Sequence, residues 1–252
     1  MTASPIYVIN REKQSMPKQR LIPSFLIPKP LRSGSVYRGS FQLAMNMLKQ
    51  YGWFKSMREN KCIDKEGNPI PWITYPAIDF LSQLDYTERS VFEYGSGYST
   101  LFWAFRAKNV VAVENDLEWY KKMKAEVPSN CELLHSSEDP GEYSNQISGY
   151  GKFDVITIDG WSNTRPSCSI MALLHIKESG IIILDNSDQC LNSAYILRSA
   201  GLIQADFTGF APLSSNAQTT TVFFTRGYDF QPKNGYQPHK SIAQPNNPWR
   251  GA

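Results

Sequence analysis

Apolar positions along this chain fall into two kinds of run that alternate. Short, mostly apolar runs without strict alternation stand at Val91–Tyr94, Val110–Val113, Cys131–Leu134, Phe153–Ile158 and Ile181–Leu184. Between them apolar residues recur at helical spacing. Leu101, Phe102, Ala104 and Phe105 do so within 98–107, Met171, Leu173, Leu174 and Ile176 within 166–176, and Leu191, Ala194, Ile196 and Leu197 within 189–199. A further helix is expected over 116–125, opened by Asn115 with Glu118 three residues later in the manner of a capping box. Apolar runs without alternation suit parallel strands covered on both faces, and strands alternating with helices predict βαβ units. Two more strands, Leu202–Gly209 and Thr219–Thr225, are joined by too few residues for a crossover, so they pair antiparallel. The pattern predicts a seven-stranded α/β sheet, mostly parallel, closed by one antiparallel C-terminal hairpin.

Before the first strand the pattern changes. Residues 1–36 hold Pro23, Pro28 and Pro30 without sustained periodicity, which predicts an extended arm. Phe41, Ala44, Met47, Leu48, Tyr51 and Phe54 predict one amphipathic helix from Ser40 to about Arg58. Asp64 to Pro69 reads as a turn, and Pro76 as the first turn of a helix reaching Leu84. The expected organisation is an arm over 1–36, a helical cap over 37–86, the sheet domain over 87–227, and a Pro- and Asn-rich tail over 228–252 that is loose or packed on the surface.

The candidate chemistry sits where the first strand meets glycine. Gly95-Ser96-Gly97 is a turn that small residues make cheaply, and it opens a helix. Such a turn brings backbone N–H groups to a ligand, and Glu114, ending the second strand, can accept from a ribose diol. A bare strand-to-helix turn gives the same pattern without a ligand, but the spacing to Glu114 fits the nucleotide fingerprint's interval of about 20 residues. Dinucleotides and S-adenosylmethionine both fit this unit. Glu93 stands just before the glycines, where it would repel a pyrophosphate by roughly 1 kcal/mol or more. Thr100 occupies the place of the dinucleotide fingerprint's third glycine. Asp159 and Asp185 end the fourth and fifth strands, at the same sheet edge as Glu93 and Glu114. Four carboxylates there point to a cation, a ribose or a proton transfer.

The stretch Phe92 to Ser99 resembles the first motif of class I S-adenosylmethionine-dependent methyltransferases, which have a Rossmann-like sheet. Shorter segments are similar to enzymes of the catechol O-methyltransferase type. That resemblance implies roles residue by residue. Ser99 would meet the methionine carboxylate, and Ser137, with Glu138 and Asp139, would lie beside the adenine. Trp161 would stack on the adenine, and Asp159, Asp185 and Asn186 would hold magnesium. Simple strand-end turns account for the last three residues as well. Trp72, Tyr75 and Pro76 become pocket candidates, while the catalytic lysine of the catechol enzymes falls on Ser162. The implied activity is methyl transfer from S-adenosyl-L-methionine to an oxygen of a small molecule or sugar, with Asp159 and Asp185 as catalytic candidates. An NAD-dependent oxidoreductase and a non-catalytic S-adenosylmethionine-binding protein are the rival expectations.

Composition adds boundaries. The chain of 252 residues can hold one sizeable core, and 41% hydrophobic residues is ordinary for a soluble protein. A formal charge of +3, without a basic stripe, argues against nucleic-acid and membrane partners. No apolar run is long enough to span a bilayer, and the first residues lack the apolar core of a signal peptide. Cys62, Cys131, Cys168 and Cys190 are scattered without a Cys-x-x-Cys pair, so reduced thiols in a cytoplasmic protein are expected rather than zinc.

Overall fold

The computed structural model describes residues 35–243. The chain divides into two compact units, Met1–Asn46 and Met47–Ala252. The first unit's described part is the beginning of helix α1 (Ser35–Tyr51). The expected arm falls on residues outside those described, apart from Ser35 and Val36, which begin α1.

In the second unit α2 (Trp53–Glu59) and α3 (Tyr75–Leu81) precede the sheet. Then follow β1 (Ser90–Tyr94), α4 (Tyr98–Ala104), β2 (Asn109–Glu114), α5 (Leu117–Lys124), β3 (Cys131–His135), α6 (Pro140–Asn145) and β4 (Phe153–Ile158). The chain continues with α7 (Arg165–His175), β5 (Ile176–Leu184), α8 (Leu191–Ser199), β6 (Ile203–Phe210) and β7 (Ala217–Phe224). The sheet order is β3-β2-β1-β4-β5-β7-β6, with β7 antiparallel to both β5 and β6 and the other pairs parallel. This is the Rossmann-like arrangement with a C-terminal hairpin that the resemblance implies.

Every residue of β4 is buried, Asp154 and Thr157 included, as expected of a central strand covered on both faces. Successive residues feed opposite faces. Val91, Ile181 and Ile183 pack with Leu81, Tyr86 and Trp103 on one side, while Phe92, Tyr94, Ile182 and Leu184 pack with Tyr143, Cys168 and Ala172 on the other.

Four local readings are corrected. The expected helix from Ser40 to Arg58 is two helices, broken at Gly52, whose φ is +82°. A Cβ there would lie 2.4 Å from the Asp64 carbonyl carbon, so the chain bends where only glycine fits. The cap of α5 is Asp116, whose side chain accepts from Trp119 N at 2.8 Å, and not Asn115. Helix α6, not foreseen, starts at Pro140 with Asp139 as its cap. Strand β5 begins at Ile176, directly after α7, rather than at Ile181.

The described part of the tail is packed against the body. Asp85 N donates to Gln231 O, Lys233 N to Gln83 O, and Ser241 Oγ to Asp79 Oδ2. Phe230 is buried against Tyr86, under the Arg89 guanidinium. No helix among the described residues is long and apolar enough to cross a membrane.

Candidate functional site

A cleft of about 730 Å³ lies at the carboxyl ends of β1, β2, β4 and β5. Strand order reverses between β1 and β4, and this crevice is where open α/β sheets bind ligands. Of the sequence-derived candidates, Gly95, Gly97, Ser99, Glu114, Asp159, Trp161, Asp185 and Asn186 line it, and so does Trp72. Glu93, Ser137, Tyr75 and Pro76 are not among the lining residues. Ser137 is exposed and donates to Glu142 Oε2 beside α6, and Tyr75 is buried, stacked on Tyr51.

The glycine loop is built from below. Gly95 has φ +95°, and a Cβ there would sit 3.0 Å from the Asp159 carbonyl oxygen, so this position needs glycine. Gly97 differs from the sequence expectation. Its φ of 166° is extended backbone open to any residue, and a Cβ would meet Trp119 only at 3.8 Å. Gly97 N–H donates to Thr100 Oγ1 at 3.0 Å, and Thr100 Oγ1 donates to Glu93 Oε2 at 2.5 Å. Thr100, the departure from the dinucleotide pattern, thus ties the loop to Glu93. Glu93 is buried beneath the loop, and its Oε1 has no hydrogen-bond partner among the described residues. Burial pushes its pKa up to about 7 against the opposing pull of Thr100 and Ser99. Near neutral pH its charge is partly titrated, which weakens the electrostatic case against a phosphate ligand.

Glu114 is nearly buried and already saturated. Oε2 accepts from Ser96 N at 3.0 Å and Ser96 Oγ at 2.7 Å, and Oε1 accepts from Asn115 N and Asp116 N at 2.9 Å each. A carboxylate offers about four such positions. The carboxylate that reads in sequence as a ribose acceptor therefore also clamps the glycine loop onto β2.

Asp159 and Asp185 stand at the ends of β4 and β5. Burial raises both carboxyls, and the charge of Asp159 adds to the rise at Asp185; Arg165 pulls the other way on each. Asp185 Oδ1 accepts from Thr220 Oγ1 at 2.5 Å, and Oδ2 from Gln218 Nε2 at 3.3 Å. Asp159 Oδ1 accepts from Arg165 Nη2 at 3.1 Å, while Oδ2 takes no hydrogen bond from the described residues.

The expected magnesium set does not fit an ion. Each side-chain oxygen of Asp185 already accepts a hydrogen bond, and the Arg165 guanidinium stands against Asp159 Oδ1 and Asn186 Oδ1. Among the described residues no group of three His, Cys, Asp or Glu side chains is placed to hold a metal. Arg165 is buried and turned to the protein.

Several lining residues had no signal in the local pattern: Asn60, Lys61, Cys62, Trp119, Lys122 and Gln218. Trp119 holds the loop through Nε1 to Ser96 O at 2.8 Å, with Lys122 Nζ 4.5 Å over its ring. Trp72 and Trp161 are about half exposed, at 51% and 54%, which leaves two flat apolar faces open along the cleft.

No family model and no curated protein matches the sequence. Solved structures do match. A putative O-methyltransferase from Klebsiella pneumoniae is 15% identical, with TM-score 0.49, over 80% of this chain and 92% of that one. A precorrin-6y C5,15-methyltransferase from Geobacter metallireducens is 13% identical, with TM-score 0.48, over 60% and 87%. An O-methyltransferase of tomaymycin synthesis from Streptomyces achromogenes, in complex with S-adenosylmethionine, is 14% identical, with TM-score 0.47, over 71% and 89%. These are similarities of fold, and the chemistry below rests on this chain's own residues.

Proposed function

We propose that this chain transfers a methyl group from S-adenosyl-L-methionine to an oxygen of a small molecule or sugar. The observation that carries the reading is the convergence of the glycine loop, Glu114, Asp159 and Trp161 on one cleft at the reversal of strand order. Its volume lies within the range of about 300–1,000 Å³ usual for small-molecule sites. When bound, the cofactor would supply an electrophilic methyl on a sulfonium. The glycine loop would let it approach the backbone closely, Glu114 would accept from its ribose, and the open face of Trp161 would cover its adenine.

Asp159 is the better candidate than Asp185 for the base. Its Oδ2 is uncommitted, whereas both oxygens of Asp185 are held by Thr220 and Gln218. A carboxyl raised by burial accepts a proton more readily than an ordinary one. Asp159 would take the acceptor's proton, and Asp185 would fix the β5 end behind it. Free thiols at Cys62, Cys131, Cys168 and Cys190 accord with a reducing, cytoplasmic setting, which is part of the proposal.

Calorimetry with S-adenosylhomocysteine tests the reading. Micromolar binding, about −8 kcal/mol, is expected. Tighter binding of NAD would replace it with an oxidoreductase. Cofactor binding without turnover across a panel of hydroxylated acceptors would leave a binding protein.

A further inference from the structure

The oxygens that the resemblance gives to a divalent ion close here on a guanidinium. Arg165 stands at the first position of α7 and is 7% exposed. Each of its three guanidinium nitrogens donates into the protein. Nε donates to Gly160 O at 2.7 Å, and Nη1 to the Asp185 carbonyl. Nη2 donates to Asp159 Oδ1 at 3.1 Å, and Asn186 Oδ1 lies 3.5 Å from both Nη1 and Nη2. The same cation therefore touches all three residues of the expected metal set and joins the loop after β4 to the end of β5.

Of the remaining side-chain oxygens, only Asp159 Oδ2 takes no hydrogen bond from the described residues. Asp185 Oδ1 and Oδ2 face Thr220 and Gln218, both on β7. A divalent ion would have to strip these donors and then sit against a fixed positive charge. Magnesium also demands an octahedral oxygen shell, and every side-chain oxygen of this cluster except Asp159 Oδ2 already faces an N–H or O–H donor.

We propose that Arg165 is the resident cation of this strand-end cluster. It holds Asp159 by one oxygen, leaves the other toward the cleft, and excludes a divalent ion from Asp159, Asp185 and Asn186. Arg165 is thus a positioning residue, acting through Asp159. This inference stands apart from the methyl-transfer reading, because protein and metal alone decide it. Failure to bind S-adenosylhomocysteine would leave it untouched.

Manganese titration followed by the free-ion paramagnetic resonance signal provides the test, with full-length wild type, Asp159→Asn, Arg165→Ala and the Arg165→Ala/Asp159→Asn double variant. Wild type and Asp159→Asn should deplete free Mn²⁺ equally, leaving only background from surface carboxylates. Arg165→Ala should bind one further equivalent, because Asp159, Asn186 and the Asp185 carbonyl lose their cation, and the double variant should lose it again. An equivalent bound by wild type and released by Asp159→Asn would overturn the proposal. So would a folded Arg165→Ala that binds no more than wild type. If Arg165→Ala does not fold, the wild-type and Asp159→Asn pair decides alone.

Discussion

Glu114 and Ser96 allow a sharp test of how the cleft takes a ribose. Glu114 Oε1 is held by two backbone donors, Asn115 N and Asp116 N, which cannot turn away while the β2–α5 turn keeps its shape. Oε2 is held by one backbone donor and by the Ser96 hydroxyl at 2.7 Å, and only the hydroxyl can rotate out. An incoming ribose can therefore gain at most one strong position on Glu114, and gains it by displacing Ser96 Oγ. A hydrogen bond to a charged group contributes about 1.5–3 kcal/mol, and the freed hydroxyl recovers part of that from water. The internal competition should thus cost about 1 kcal/mol of cofactor affinity. Ser96→Ala is expected to bind S-adenosylhomocysteine roughly fivefold more tightly than wild type. Glu114→Ala should lose about 1.5–3 kcal/mol, or roughly 10- to 150-fold, because the ribose contact goes and the loop comes loose. Calorimetry on both folded variants at one pH reads these directly. If Ser96→Ala weakens binding, Ser96 belongs to the ligand's own contacts and the displacement argument is wrong. An unchanged Glu114→Ala would remove Glu114 from the site altogether.

Gly95→Ala should destabilise the fold by about 1–2 kcal/mol or more in urea unfolding, since φ is +95° and the Cβ meets the Asp159 backbone. Gly97→Ala should keep wild-type stability and weaken only S-adenosylhomocysteine, and equal binding would show that no ligand approaches there. Glu93 has its pKa at about 7 against an ordinary 4.5, so between those values the folded protein keeps a proton that the unfolded chain has lost. Its contribution to stability is then full below about pH 4.5 and is lost as pH rises through about 7, by at most about 3 kcal/mol. Relative to wild type, Glu93→Gln should gain stability between pH 5 and pH 8 in urea titrations, and a pH-independent difference would refute the assignment. Gly52→Ala should cost more than about 2 kcal/mol, because its Cβ would overlap the Asp64 backbone at 2.4 Å; a variant as stable as wild type would mean that the helix can run through.

The sheet was legible because its central strands are buried on both faces, and a segment such as Phe153–Ile158 has few ways to satisfy six consecutive buried positions except as a strand. What escaped reading had its cause elsewhere in the chain. Helix periodicity continues on both sides of Gly52, so the break is visible only from Asp64, which packs against it. Helix α6 is too short to show a period, and its anchor is one fully buried residue, Tyr143, whose hydroxyl donates to Val113 O across the fold. The first residues of β5 carry Lys177 and Glu178, and the pairing with β4 slips in register there, which hides the strand behind a polar pattern.

The site divides in the same way. Strand-end carboxylates at Glu114, Asp159 and Asp185 are visible in sequence, as is their need for a cation, donors or a proton. What answers that need is not visible from the carboxylates, because it comes from helix starts and from the antiparallel hairpin. One clue does lie in the sequence. Pro166 fixes the start of α7 and places Arg165 in its first turn, where the helix dipole disfavours a positive charge. A cation set there and 7% exposed must be held by something stronger than the dipole, and Asp159 lies six residues before it. An arginine just ahead of a helix-starting proline, shortly after a strand-end aspartate, is thus a physical signature of a built-in guanidinium. On that reasoning the position is one for a bidentate fork, and a lysine would fill the charge without spanning Asp159, Asn186 and the Asp185 carbonyl together.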